Sequence, residues 1–353
     1  MIDDKFYAIL SVFYIKKNKV QNYINSLHFH NSCRIEGFGE GVGEGSEKSI
    51  CETLETHKEF KEDFIVFYME NNILSAIQNI VSFRDNNLKS YSSTYLNRIN
   101  AVGEQLEFYI KDAIAGSFRL PYEEKQESYS KIFSWLGNQN HPPDIIIKNG
   151  DAFEIKKIES LKSSLALNSS PPKDKLLSND IRITADCKKC DGGNWKEKDL
   201  FYVIGNAKGG IVNYLFFVQG TCYAAEHKVY EKVHEPVKKE INSILDSLGL
   251  EKGETVELGK IKRVDPLGIT ELRIRGMWSI ENPVNVFKDL CKIEENKFHL
   301  FAILRKEKYL SYPKEDIKEI ESNKNIFVKD VKIKDPNNPA KLIEAKLITF
   351  VIK

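Results

Sequence analysis

Three charged side chains stand among core-type residues in the stretch NHPPDIIIKNGDAFEIKKIES, residues 140–160. Asp144 precedes three isoleucines, and Glu154 and Lys156 interrupt a second apolar run. Charges in such surroundings are costly unless they are paired or bound to an ion. Two carboxylates supply the hard oxygen ligands that Mg²⁺ prefers, and the metal activates a bound water and neutralises charge on phosphorus. With the Lys156 ammonium to orient the water, these residue types favour metal-assisted attack on a phosphate ester.

Two strands joined by a tight turn are needed to bring the three side chains together. Alternate residues of a strand share a face, so Glu154 and Lys156 point the same way. A two-residue turn at 149–150 would place Asp144 opposite Ile155, on the other face. That turn would place Asp144 on the opposite face of the hairpin from Glu154 and Lys156.

A three-residue loop, residues 149–151, puts the charges on one face. Such loops are common in hairpins and hold a glycine in the left-handed conformation. This loop places Asp144 opposite Lys156 and Ile146 opposite Glu154, and we predict it on that ground. The alternative is an exposed face with an incidental ion pair, because an aspartate followed later by Glu-x-Lys occurs by chance in many chains.

The composition is typical of a globular protein rather than of a membrane protein or of a nucleic-acid binder whose whole surface contacts phosphates. Hydrophobic residues make up 41% of the 353, and Lys plus Arg total 52 against 51 for Asp plus Glu. This balance still allows a local basic cleft. The N-terminal apolar run, residues 6–15, is too short to span a bilayer and follows acids, where a signal peptide has bases. The six cysteines are scattered, so we expect free thiols and a cytoplasmic location.

Hydrophobic periodicity assigns helices mainly to the first third of the chain and strands mainly to the last third. Residues 52–83 have helical spacing, and residues 100–115 predict an amphipathic helix capped by Asn100. Residues 199–225 predict two buried strands with a glycine turn, and a helix that breaks or restarts at Pro236 follows. We therefore expect one integrated α/β body with an N-terminal helical elaboration.

The residues around the hairpin resemble a known group of enzymes. The Pro-Asp pair ending at Asp144 and the Glu-Ile-Lys beginning at Glu154 look like the signature of the PD-(D/E)xK nuclease superfamily. Longer blocks resemble type II restriction endonucleases, most closely the family that cuts GGCC. Those blocks are NAVGEQLEFYIKDA, LGNQNHPPDIIIKNGDAFEIKKIESLKSSLALNSSPPKDKL, CKKCDGGNWKEKDLFYVIG, FFVQGTCYAA and DPLGITELRIRGMWSIENP. They cover about half of the chain, between residues 100 and 283.

The resemblance implies a fold and a role for each site residue. The fold is a mixed central β-sheet flanked by helices, with the metal site on the hairpin. Asp144, Glu154 and the Ile155 carbonyl would bind Mg²⁺, and Lys156 would position the nucleophilic water. Glu107, on the upstream helix, matches an acid that many such nucleases hold near the metal. The expected parts are a mostly helical elaboration (1–95), a catalytic core (96–225) and an integrated, strand-rich C-terminal part that reads DNA (226–353).

Two further segments offer contacts to DNA. Hydrogen-bond donors in LNSSPPKDKL can contact phosphates, which fix register without reading sequence; they are Asn168, Ser169, Ser170, Lys173 and Lys175. Arg273 and Arg275 share a face of the predicted strand in ITELRIRGMW, and arginine pairs bidentately with guanine, which suits a GC-rich target. A solvated turn and a solvent-facing strand are the alternatives, and the resemblance favours DNA contact for both segments.

One cysteine pair has the spacing of a metal-binding knuckle. Cys187 and Cys190 form CKKC, but zinc needs four ligands, and the other candidates lie far upstream within residues 28–51. The pattern therefore favours free thiols over zinc.

The sequence thus predicts a type II restriction endonuclease that cuts both strands of a short palindrome in double-stranded DNA. A two-fold site implies a two-fold protein, so we expect a homodimer. The resemblance also implies that the products carry 5′-phosphates. The alternatives are a repair or structure-specific nuclease on the same fold and a non-catalytic DNA-binding protein.

Overall fold

The computed structural model describes residues 71–89, 102–138 and 141–352. All of these residues belong to one compact unit, residues 71–353. Most of the predicted N-terminal elaboration and the predicted cap Asn100 lie outside the described residues. Within them, no helix is long and apolar enough to cross a membrane.

Eight α-helices are present in the described part of the chain. They are α1 (Ile73–Phe83), α2 (Val102–Ala115), α3 (Tyr122–Ile132), α4 (Ala185–Lys189), α5 (His227–Ser247), α6 (Pro283–Val286), α7 (Lys306–Ser311) and α8 (Lys314–Ser322). Helix α2 matches the predicted helix, and its apolar face is buried as expected at Leu106, Tyr109, Ile110 and Ala113. The predicted break at Pro236 is wrong, because α5 runs through that proline without interruption.

Thirteen strands alternate with these helices. They are β1 (Phe133–Asn138), β2 (His141–Ile147), β3 (Ala152–Ile158), β4 (Leu165–Asn168), β5 (Lys175–Leu177), β6 (Glu197–Lys208), β7 (Ile211–Gln219), β8 (Gly259–Ile261), β9 (Leu272–Ile274), β10 (Trp278–Ile280), β11 (Phe298–Arg305), β12 (Phe327–Asp335) and β13 (Asn338–Ile352). The predicted pair of buried strands is β6 and β7, joined by the two glycines at 209–210.

The central sheet is mixed, which confirms the expected fold class. Its order is β1-β2-β3-β6-β7-β11-β13-β12, and β5 also pairs with β6. The pairs β3–β6 and β7–β11 are parallel, and the other neighbours are antiparallel. Two small sheets, β4–β10 and β8–β9, lie outside it. The strand-rich C-terminal part is therefore continuous with the core.

Alternation along β2, β3 and β6 directs side chains into two separate cores. Phe153 and Ile155 pack in the core on the face covered by α1 and α2. Ile146 and Tyr202 pack in the core on the opposite face, which includes the buried Cys187. Glu154 and Lys156, at the alternate positions of β3, are only partly buried. Period-two alternation thus places the charged residues of the hairpin on one face of the sheet.

Candidate active site

The loop of the β2–β3 hairpin has the predicted length but begins one residue earlier than predicted. Ile145 lies opposite Phe153, and the Ile147 N–H donates to the Asp151 carbonyl at 3.0 Å. The three loop residues are therefore 148–150 rather than 149–151. Asn149 adopts the left-handed conformation at φ 55°, where a glycine was expected. Asparagine tolerates this region better than most residues.

The shift changes which residues face one another but not which face they occupy. Continued along the strands, the observed register sets Asp144 level with Glu154, so the predicted pairing of Asp144 with Lys156 is wrong. An odd loop length still keeps Asp144 on the face of Glu154 and Lys156.

Contacts from α7 and from the residue that follows it hold Asp151 directly before β3, outside the three-residue loop. Its carboxylate is buried and accepts hydrogen bonds from Lys308 Nζ at 2.6 Å and from the Tyr312 hydroxyl at 2.9 Å. Lys308 also contacts Asp199 at 2.9 Å. This cluster fixes the turn end of the hairpin, and with it the register of the strands.

Asp144 fills a gap between β2 and β3. Its Oδ2 accepts a hydrogen bond from the Ile155 N–H at 2.5 Å, taking the place of a carbonyl from the neighbouring strand. The N–H and C=O of one strand residue point to the same side. The Ile155 carbonyl therefore points into the same gap as the Asp144 carboxylate, which suits its predicted role as a third ligand.

Electrostatic interactions tie the three charged residues together. Lys156 Nζ lies 2.6 Å from Glu154 Oε1. Burial, followed by the negative charge of Glu154, raises the pKa of Asp144 to about 7. Burial would lower the pKa of Lys156, but the carboxylates of Glu154 and Asp144 outweigh it and raise that pKa. The cluster thus holds two carboxylates near one ammonium and favours an additional positive charge.

Glu107 lies close enough to this cluster to interact with it. Burial raises its pKa, against the opposing charges of Lys111 and Lys156. Its side chain is 38% exposed and lies 3.8 Å from Lys111 in α2. Within the described ranges, no three His, Cys, Asp or Glu side chains come near enough to hold one metal together. Glu107 therefore stands beside the two carboxylates rather than among a common set of ligands.

The residues at the gap fit Mg²⁺. Asp144 and Glu154 offer carboxylate oxygens on one face, and Ile155 offers a carbonyl oxygen directed into the same gap. Magnesium prefers such oxygen ligands and usually takes only one or two protein carboxylates, keeping water and substrate phosphate in its other positions.

Comparison with known proteins gives this site its context. A family model described as NgoPII restriction endonuclease matches residues 71–334. The chain is also 42% identical, over 281 residues, to "Type II restriction enzyme NgoPII" of Neisseria gonorrhoeae, covering 79% of this chain and 99% of that protein.

The chain belongs to the NgoPII restriction endonuclease family. It is a type II restriction endonuclease, a site-specific deoxyribonuclease, as the sequence predicted. No solved structure matches it. All of the predicted site residues lie within the matched range of the family.

The segment that follows β4 differs from expectation at Lys173. Asn168 is exposed, and Ser169 and Ser170 are half-buried, so these three can reach a ligand. Lys173 is buried, and its Nζ contacts Ser170 Oγ and, at 3.2 Å, Asp180 Oδ2.

Burial lowers the pKa of Lys173, and the charges of Asp180 and Glu154 oppose that shift. The Lys173 ammonium therefore holds the loop near Glu154 through its contacts with Ser170 and Asp180. Lys175 is half-buried and pairs with Glu197.

The structure adds Tyr202 to the residues that shape the site. Its hydroxyl accepts a hydrogen bond from the Lys173 N–H at 2.7 Å, and in β6 it lies beside Glu154 of β3. It thereby anchors the loop to β6, the strand next to β3. Nothing in the sequence distinguishes Tyr202 from other core tyrosines, because the contact is formed across 29 residues.

The two predicted base-reading arginines do share a face. Arg275 Nε lies 2.6 Å from Glu257, and Arg273 Nε lies 4.0 Å from the same carboxylate. Both side chains are about half exposed, so a DNA base could replace the glutamate as their partner.

The CKKC thiols are buried. Burial raises the pKa of Cys187 to about 12, which keeps it protonated and a poor metal ligand. No described His, Cys, Asp or Glu side chains complete a metal site with this pair. The upstream candidates within residues 28–51 lie outside the described residues.

Proposed function

We propose that this endonuclease uses Mg²⁺ and a PD-(D/E)xK site to cut both strands of a short palindromic, GC-rich sequence, with GGCC as the expected target. The observation that carries the proposal is the pair of carboxylates and the lysine at the β2–β3 gap. The raised pKa of Asp144 supports it, because the two carboxylates favour a positive charge in addition to that of Lys156.

The side chains would divide the reaction between them. Asp144, Glu154 and the Ile155 carbonyl would hold the ion, and bound Mg²⁺ would polarise the phosphate and acidify a water molecule. Lys156 would donate a hydrogen bond that orients the attacking water. Attack on phosphorus breaks its bond to the 3′-oxygen, which leaves a 5′-phosphate and a 3′-hydroxyl. Glu107 would accept a hydrogen bond from a water at the edge of the site.

Two segments would supply the contacts to DNA. Asn168, Ser169 and Ser170 would donate to phosphates, with Lys175 able to exchange Glu197 for a phosphate. Arg273 and Arg275 would pair with guanines. In this proposal Lys173 supports the loop and adds positive charge without direct contact.

We expect two copies of the chain at each site. The described residues contain one such cluster, whereas double-strand cleavage involves two phosphodiesters related by the two-fold axis of a palindrome. A homodimer would present one cluster to each strand. The expected location is the cytoplasm, where the host DNA lies.

Sequencing the cleaved ends of a digested plasmid tests the target, the stagger and the end chemistry together. The matched variants are Lys156→Ala and Lys157→Ala, because Lys157 is the next residue and pairs with Glu159 instead. We expect Lys156→Ala to lower the cleavage rate about a hundredfold or more, while DNA affinity and the Lys157→Ala rate change little. Equal activity of the two variants would exclude Lys156 from catalysis.

A further inference from the structure

The turn between β8 and β9 carries two unusually exposed aliphatic side chains. Leu267 is 81% exposed and Ile269 is 79% exposed, the two highest values for large apolar residues in the described part of the chain. We call residues 264–270 the tip. Isolated exposed apolar residues are normal, but two neighbours at the end of one hairpin form a local apolar surface.

Hydrogen bonds hold the tip in one shape. The Asp265 carboxylate accepts from the Leu267 N–H at 3.0 Å and from the Thr270 N–H at 2.6 Å. The Gly268 N–H donates to the Asp265 carbonyl at 2.8 Å, and Gly268 has a positive φ of 70°. The two aliphatic side chains are therefore presented to solvent by an ordered turn.

The strands beside the tip carry positive charge. Between residues 260 and 275 there are five cations and two acids, and Glu251 and Glu257 from the preceding segment pair with the three half-exposed or exposed arginines. The cations are Lys260, Lys262, Arg263, Arg273 and Arg275. One of the acids, Asp265, is engaged within the tip. An apolar end between cations matches duplex DNA, in which phosphates flank a groove with a floor of base edges.

Strand pairing connects this hairpin with the proposed DNA-contact loop. Strand β10 follows β9 after three residues, and it pairs with β4 so that Trp278 lies opposite Asn168. Asn168 begins the loop that ends near Glu154 at Lys173. The base of the hairpin therefore adjoins the loop that borders the catalytic cluster.

From these observations we propose that Leu267 and Ile269 form an apolar wedge that enters a groove of the bound duplex and loosens the stacking of a base step near the cleavage site. This inference rests on the proposed DNA-cleaving function. It adds a contact that depends on how easily a base step of the duplex deforms, rather than on hydrogen bonds to base edges. Proteins that insert aliphatic side chains in this way favour flexible steps. The wedge would therefore make cleavage depend on the bases beside the site.

The test uses full-length protein with Lys156→Ala, which should bind DNA without cutting it. Duplexes contain the mapped cleavage site and a single 2-aminopurine, moved one position at a time, whose fluorescence rises when it unstacks. We expect a rise at one or two positions upon binding. The double substitution Leu267→Ser and Ile269→Ser should abolish the rise and weaken DNA binding about tenfold.

Leu342→Ser is the matched control, because Leu342 is also an exposed leucine, at 62%, and lies on β13 of the central sheet, outside the β8–β9 hairpin. It should keep both the fluorescence rise and the affinity. DNA binding without any unstacking, or unstacking that persists in the double variant, would overturn the wedge but not the nuclease. A change of oligomeric state in the double variant with an unchanged DNA response would assign the tip to protein contact instead. Absence of DNA binding by the parent protein would overturn both proposals.

Discussion

Asp144→Asn should stabilise the protein when no divalent metal is present. The wild-type carboxylate lies in the gap between β2 and β3, where burial and then the charge of Glu154 raise its pKa to about 7. An asparagine carries no charge, and its side-chain oxygen can still accept the hydrogen bond from the Ile155 N–H. The substitution therefore removes a buried charge and keeps the shape of the site.

The sign and the size of the effect follow from proton linkage. Because the pKa in the folded protein exceeds the ordinary value of 3.8, wild-type stability falls as pH rises from that value to about 7, and then stays low. At about 1.4 kcal/mol for each pH unit, the free energy of unfolding loses up to about 4 kcal/mol by pH 8. The same arithmetic gives a loss of about 1.5 kcal/mol at pH 5. At each pH, the free energy of unfolding of Asp144→Asn should exceed that of the wild type by these amounts.

Urea unfolding in the presence of EDTA, at pH 8 and at pH 5, measures both values. Asp289→Asn, at an exposed aspartate, is the control and should change stability little at either pH. Adding Mg²⁺ in excess of the EDTA should narrow the difference at pH 8 to about 1–1.5 kcal/mol, because about 2.7 kcal/mol of stabilisation at a hundredfold excess over Kd goes to the wild type alone. A less stable Asp144→Asn at pH 8 without metal, or equal stabilisation of both proteins by Mg²⁺, would refute the reasoning.

Three further changes test other parts of the structure. Lys125→Met removes the buried ammonium that contacts Asp112, so the free energy of unfolding in urea should drop by about 3–5 kcal/mol; a drop below about 1 kcal/mol would show that this ion pair contributes little. Arg275→Ala should weaken binding to the cognate duplex by about 1–3 kcal/mol and relax base preference at one position, as measured by competition titration; uniform weakening on all sequences would instead indicate a phosphate contact. Gly220→Ala would drive a Cβ into the backbone at 173–174 and displace the loop near Glu154, so thermal stability and the cleavage rate at a temperature below unfolding should both fall, and an unchanged rate would separate that loop from catalysis.

Much of the fold follows from local pattern. The helix Val102–Ala115 and the pair β6–β7 were predictable, because periodic apolar residues and a Gly-Gly turn specify them within short windows. The failure at Pro236 has a local origin too. A proline normally disrupts a helix interior, yet α5 continues through it for eleven residues.

The remaining errors arise from contacts distant in sequence. The hairpin register depends on Lys308 and Tyr312, which are 157 and 161 residues away from Asp151. The burial of Lys173 depends on Tyr202 and Asp180. Because lysine is rarely buried, the sequence predicted that the Lys173 ammonium would contact DNA. The shared face was predicted correctly although the register was not, because any loop with an odd number of residues keeps Asp144 and Glu154 on the same face of the sheet.

The gap between β2 and β3 explains why this site is costly without metal. A continuous ladder would have given the Ile155 N–H a backbone partner, and the Asp144 carboxylate would not have been held in the gap by this hydrogen bond. Instead the strands separate, the carboxylate replaces the missing carbonyl, and burial beside Glu154 makes its ionised form unfavourable. Lys156 compensates only part of this charge, since it already pairs with Glu154. The same desolvation that destabilises the metal-free protein therefore strengthens the attraction of these carboxylates for a cation.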